Sequence, residues 1–270
     1  MYKGLVALLF DFLFSVLLVS AIALLIMPSV SLGRVYGYAL PVQMSDSDSV
    51  QLSDRVLYPR TMPKSGVRRS YDGIDISKYQ GIIEWKQLAA DTCIQVLYMR
   101  ATKSNDYVDP VYEFNLTEAH KYGFKVGSYH FLTSLASVDE QFALFLKTAE
   151  PRRQDLVPML DVEPVYLYKW NRQQLQDSVA KFVSLMQKHY HCRPMIYSSR
   201  NFYNHMLAPR FDSYILYIAF YNRYEPVIIG DSGHNLWQFT ERGHVKGIQG
   251  YVDLCRFTNG TKLRDITIRP

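Results

Sequence analysis

At 270 residues the chain is long enough for one sizeable domain with further segments attached. A composition of 48% apolar and 20% charged residues excludes a disordered chain. The net charge of +5 comes without a basic helix of interleaved aromatics, so no nucleic-acid partner is expected. Cys93, Cys192 and Cys255 have no CxxC pattern and imply neither a disulfide framework nor a zinc site. They read as buried free thiols, or as one pair plus a free thiol, and no metal or cofactor is expected.

The chain opens with a nearly unbroken apolar run from Leu5 to Met27. A secretory core needs about 7–15 such residues and a membrane helix about 20, so the run fits a membrane helix better. Lys3 before it favours an inside amino terminus, and Arg34 beyond it weakens that vote. The small-x-small site Gly37-Tyr38-Ala39 offers cleavage as the alternative. Residues 1–27 are therefore expected to be a transmembrane anchor or a signal segment. Residues 28–70, with scattered Pro, Ser and Asp, read as a linker, and 71–265 as the folded domain. That domain would be held at the membrane outside the cytoplasm, or secreted if the leader is cut.

From Tyr71 the chain alternates. Strands are expected at Gly73–Ser77, Gln95–Thr102, Lys125–Leu132, Val157–Glu163 and Arg193–Ser199. Helices are expected at Ile83–Asp91, from Asp109-Pro110 to Gly123, at Ser137–Glu150, from an Asn171 cap onward, and at Asn201–Leu207. Three further strands follow at Tyr214–Tyr221, Asn235–Thr240 and Tyr251–Phe257. Regular strand–helix alternation predicts an α/β fold with a parallel sheet, and eight strands predict closure into a barrel.

The fourth strand carries the first chemical clue. Val157-Pro158-Met159-Leu160-Asp161-Val162-Glu163 runs from apolar residues into two acids at i and i+2, which share one face of a strand. Burying unpaired carboxylates is costly, so such a pair points to chemistry rather than stability. In barrels of this type the active site lies at the carboxyl ends of the strands. Asp75, His130, Asp161, Glu163 and Tyr197 are expected at or near such ends, as are Tyr221, Gln238 and Asp253.

The series Asp72-Gly73-Ile74-Asp75-Ile76-Ser77-Lys78-Tyr79-Gln80-Gly81, then Ile83-Glu84-Trp85, resembles the opening of glycoside hydrolase family 25, the muramidase-type lysozymes. The resemblance continues in order through Arg100-Ala101-Thr102, Gly127-Ser128-Tyr129-His130-Phe131, Leu160-Asp161-Val162-Glu163 and Ile196-Tyr197-Ser198. It closes with Ile218-Ala219-Phe220-Tyr221, Trp237-Gln238-Phe239-Thr240 and Gly247–Phe257, and so covers about residues 71–258. It implies an irregular TIM-like barrel of eight strands and about five helices. It also implies hydrolysis of the β-1,4 bond between N-acetylmuramic acid and N-acetylglucosamine in the glycan strands of peptidoglycan.

Carried over by position, Glu163 is the general acid beside Asp161. Asp75 and Asp253 lie across the cleft, either orienting the substrate acetamide or serving as nucleophile. Tyr129, His130, Tyr197, Tyr221, Trp237 and Gln238 are the expected substrate contacts. One departure stands out: the family pattern Ala-Thr-Glu-Gly is here Ala101-Thr102-Lys103-Ser104. A cation at that point would lower the pKa of Glu163 by about 1–3 units if within about 4–6 Å. That gives an alternative reading, a membrane-tethered module that binds glycan but cuts it poorly.

Overall fold

The computed structural model describes residues 70–230 and 233–269. The expected membrane or signal segment and all but the last residue of the linker lie outside the described residues. Among the described residues no helix is long and apolar enough to cross a membrane.

The chain forms β1 (Gly73–Ile76), β2 (Val96–Lys103), β3 (Tyr107–Val108), β4 (Val126–Phe131), β5 (Met159–Asp161), β6 (Met195–Ser199), β7 (Ile215–Ala219), β8 (Leu236–Gly243) and β9 (Val252–Phe257). The helices are α1 (Trp85–Ala89), α2 (Tyr112–Lys121), α3 (Val138–Thr148), α4 (Arg172–Tyr190) and α5 (Arg200–Phe202), the last running into a π-helical turn at Tyr203–Leu207. Ser137 caps α3 and Asn171 caps α4, each through a reciprocal bond with the Glu or Gln three residues on. The expected helix around Ile83 begins later, because Ile83 bridges to Ile248 instead.

Eight strands close into a barrel, since β1 pairs with both β2 and β9. The ninth, β3, is a two-residue return hairpin on the end of β2. All the barrel pairings from β1 to β8 are parallel, but β9 is antiparallel to both its neighbours. The wholly parallel sheet expected from the alternation is thus corrected at one strand. The link from Gly243 to Val252 is shorter than the crossover of about a dozen residues that a parallel return needs.

The reversal matters for the site. Asp253 stands near the amino end of β9, not a carboxyl end, and reaches the same rim only because its strand runs backwards.

Alternation along the strands divides two cores. Val96, Tyr98, Met159, Met195 and Tyr217 fill the lumen, whereas Leu97, Met99, Leu160 and Ile196 face the helices. Gly127 on β4 is required by this filling: a Cβ there would lie 2.3 Å from the Tyr98 ring. Tyr98 in turn donates its hydroxyl to the Val157 carbonyl at 2.9 Å. Plugging the lumen from below leaves the upper rim as the open end.

Candidate active site

The rim is built from strand ends. Asp75 and Asp253 are cross-strand partners in register on β1 and β9, which sets their side chains together on the lumen face. Asp161 ends β5, and Glu163 follows two residues later, just past the last strand pairing. The backbone there stays in order because Val162 N–H donates to the Tyr197 carbonyl on β6 at 2.9 Å. A cleft of about 710 Å³ opens above these acids, within the size range of small-molecule sites. Tyr129, Tyr197, Tyr221 and Gln238 also line it.

One hydrogen-bond network organises the floor. The Tyr197 and Tyr221 hydroxyls both donate to Gln238 Oε1, at 2.8 and 2.9 Å. The Gln238 amide then donates to Asp75 Oδ2 at 2.9 Å, and the Tyr217 hydroxyl donates to the same oxygen at 2.9 Å. Gln238 therefore has one orientation, with its carbonyl towards the tyrosines and its amide towards Asp75.

The four acids are not equivalent. Burial raises Asp75, while hydrogen bonds from Gln238, Tyr217 and Asp253 oppose that rise and favour its charged form. Asp253 is pushed up to about 9 by burial, by the adjacent Asp75 charge and by its hydrogen bond to Asp75. Asp253 thus keeps its proton at neutral pH and is the donor in its hydrogen bond with Asp75. Asp161 is raised well above the usual carboxylate range, first by burial and then by Glu163 and Asp75, with Arg100 pulling the other way. Its Oδ1 is buried with no hydrogen-bond partner among the described residues. Glu163 is raised by burial and by the charge of Asp75, against a hydrogen bond with Tyr197. A carboxyl raised towards its acid form beside one whose donors favour its charged form can deliver a proton and stabilise the positive charge that follows.

Two of the expected contacts lie elsewhere. His130 is fully buried and faces the helices, where Nδ1 meets Thr102 Oγ1 at 2.7 Å and its ring stacks on Phe182 at 4.8 Å. It follows Tyr129 on β4, so alternation turns it outward when Tyr129 points in. Trp237 is likewise turned out beside Gln238, and its indole donates to the Phe220 carbonyl at 2.8 Å.

Lys103 is not among the charges that move Glu163. Its ammonium lies 3.7 Å from the centre of the Tyr166 ring. The groups that move Glu163 are its burial, Asp75 and Tyr197, and together they raise it.

Among the residues of the site that were not singled out in the sequence are Arg100 and Tyr217. Arg100 lines the cleft, with Nε and Nη2 both donating to Asp109 Oδ2 at 2.9 and 2.8 Å. A charge in the middle of the apolar β2 was the available signal. Tyr217 was legible from period two, since it shares a strand face with Ala219 and Tyr221.

A plugged barrel with raised and charged carboxyls at its open rim has the equipment of a glycosidase. The chain belongs to the glycosyl hydrolases family 25, whose model matches residues 74–248. It is 31% identical over 225 residues to the uncharacterized protein YegX of Escherichia coli K12, covering 80% of this chain and 81% of that one. It is 30% identical over 189 residues to the autolytic lysozyme of Clostridium acetobutylicum, covering 70% of this chain and 56% of that one. Among solved structures, a bacterial lysozyme from Streptomyces coelicolor superposes with a TM-score of 0.64 at 25% identity, over 71% of this chain and 93% of that one. A family 25 lysozyme from Aspergillus fumigatus gives 0.62 at 26% identity, over 72% and 97%.

Proposed function

We propose that the protein is a lysozyme that hydrolyses the β-1,4 bond between N-acetylmuramic acid and N-acetylglucosamine in peptidoglycan, outside the cytoplasm where that polymer lies. Support comes from the family and from relatives that are lysozymes. The observation that carries the catalytic assignment is the raised Glu163 facing a cleft that also holds Asp75, whose three donors favour its charged form.

In this reading Glu163 protonates the glycosidic oxygen as the bond to the anomeric carbon breaks. Ionised Asp75 stabilises the positive charge that develops, either at that carbon or on the acetamide that closes onto it. Asp253 donates to Asp75 and fixes its orientation. Water then adds to the anomeric carbon and returns a proton to Glu163, which restores the acid. In the same reading Asp161, which lines the cleft beside Glu163, accepts from the substrate acetamide N–H.

Release of reducing ends from purified peptidoglycan tests the assignment. Glu163→Gln should abolish it while leaving the thermal melt intact, and equal release by both proteins would remove Glu163 from the role. The alternative, glycan binding with weak cleavage, was motivated by Lys103. It requires Lys103→Glu to release reducing ends faster than the native chain.

A further inference from the structure

The strand pairing between β2 and β4 slips by one residue. Arg100 pairs with Tyr129, but the next partners are Thr102 with His130 and Lys103 with Phe131, which leaves Ala101 as an extra residue. Without the bulge, alternation would place Arg100 inward and Lys103 outward. With it, Thr102 turns outward to meet His130, and Lys103 returns to the same face as Arg100. The bulge therefore aims a second cation at the cleft end of the barrel.

The two cations have different surroundings. Arg100 is neutralised by Asp109. Lys103 has no carboxylate within ion-pair distance among the described residues. Its ammonium sits at the corner of two rings instead, 3.7 Å from the centre of Tyr166 and 5.7 Å from that of Phe131. The two rings meet edge-on with centres 6.4 Å apart, and Phe131 lines the cleft. Rings orient an ammonium without cancelling its charge, and they leave its donors free for an anion.

The Tyr166 side of this corner is fixed. Tyr166 has φ 67°, unusual for a residue with a side chain, and its carbonyl accepts from both the N–H and the hydroxyl of Ser134 at 2.8 and 2.7 Å. Pro164 and Val165 join it directly to Glu163, so the corner sits on the segment that leaves the proposed acid.

We propose that Lys103, held at the corner of Tyr166 and Phe131, forms a subsite for a carboxylate carried by the N-acetylated sugar in the cleft, and so selects acidic glycans over neutral ones. The assignment rests on the lysozyme reading above and adds the chemical class that the cleft prefers. Two sources could supply the carboxylate, the lactyl acid of a sugar without peptide or the acids of an attached peptide stem.

Binding to the full chain carrying Glu163→Gln, which prevents turnover, separates these. Three probes are titrated: glycan strands stripped of peptide, the same strands with peptide, and a neutral N-acetylglucosamine oligomer of equal length. Both acidic probes, or whichever one bears the recognised carboxylate, should bind about tenfold more tightly than the neutral oligomer. Lys103→Met should bring that preference to about unity without weakening the neutral oligomer, and Lys103→Arg should retain most of it. A preference that survives Lys103→Met, or equal binding of acidic and neutral probes to the Lys103 protein, overturns the subsite. If the native chain also hydrolyses peptidoglycan, the lysozyme reading stands without it. If the native chain neither binds nor cuts any of these glycans, both fall.

Discussion

Two buried polar clusters lie back to back across β4, and they differ in how completely they are satisfied. On the helix side, His130 is bonded at both ring nitrogens, to Thr102 at 2.7 Å and Gln141 at 3.2 Å, and packs on Phe182 and Phe145. Gln141 also accepts from Thr133 N–H and donates to the Thr133 and Ala136 carbonyls. On the lumen side, Asp161 keeps a buried oxygen with no partner among the described residues, and several carboxyls crowd one another. Every polar group in the first cluster stabilises the fold. The second holds groups whose burial costs free energy that substrate can recover. The contrast separates structural from catalytic polarity better than residue type does, since histidine is the commoner catalyst and here belongs to the scaffold.

The largest effect should come from the lumen side. Glu163→Gln should lower kcat on peptidoglycan by about 10²–10⁴-fold, the range for a lost general acid, with little change in the melting temperature. A loss below about tenfold would mean that another group donates the proton.

The converse change belongs to the helix side. His130→Ala should cost about 2–4 kcal/mol in urea unfolding, because it opens a cavity against Phe182 and strands Thr102. Protein that remains folded should keep its kcat. A normal melt combined with lost activity would move His130 back among the substrate contacts.

The barrel was legible in the sequence because period two and period 3.6 alternate cleanly from Tyr71 to Leu207. The eight strands needed only adjustment at their ends. What was not legible depends on pairing between distant residues. The slip at Arg100/Thr102 decides which way Lys103 points, and it exists only against Tyr129 and His130 of another strand. The reversal of β9 likewise depends on its partners, although the short link after Gly243 was a usable hint. The acids were found because a carboxyl in an apolar strand stands out. Their division of labour was not, because it turns on Gln238 and Tyr217 as donors to Asp75. His130 was expected in the cleft because it lies at a strand end and Trp237 because the family resemblance implies it, and each is turned away by its place next to an inward residue.

Gln238 offers a way to sharpen the comparison within the lumen. Its side chain links Tyr197 and Tyr221 to Asp75. Gln238→Leu leaves two hydroxyls without their acceptor and removes one donor from Asp75. It should lower kcat by about 10- to 100-fold, with a smaller change in KM, because it misplaces the charged acid more than it closes the cleft. An equal rise in KM with kcat untouched would make Gln238 a sugar contact rather than a positioning residue.

The smallest effect tests both clusters in one measurement, because their stability should depend on pH with opposite slopes. Burial holds His130 down to about 3 in the folded chain, whereas an unfolded histidine takes its proton at about 6.5. Between those values the unfolded chain holds the extra proton, so stability falls as pH drops through that window. Asp253 is raised to about 9, whereas an unfolded aspartate loses its proton near about 3.9. Its contribution is fully present below the unfolded value and is lost as pH rises towards the folded one. The two slopes cancel where they overlap, so these groups together give a plateau from about pH 4 to about pH 6.5. Stability falls below it through His130 and above it through Asp253, each by at most about 1.4 kcal/mol per pH unit. Urea midpoints at a series of pH values give the slopes. His130→Gln should make the acid limb shallower and leave the alkaline limb alone. Asp253→Asn should do the reverse, without flattening the alkaline limb, since Asp161 and Glu163 are raised as well. An alkaline limb unchanged by Asp253→Asn would mean that the proton shared with Asp75 is not held on Asp253, and the roles of that pair would have to be exchanged.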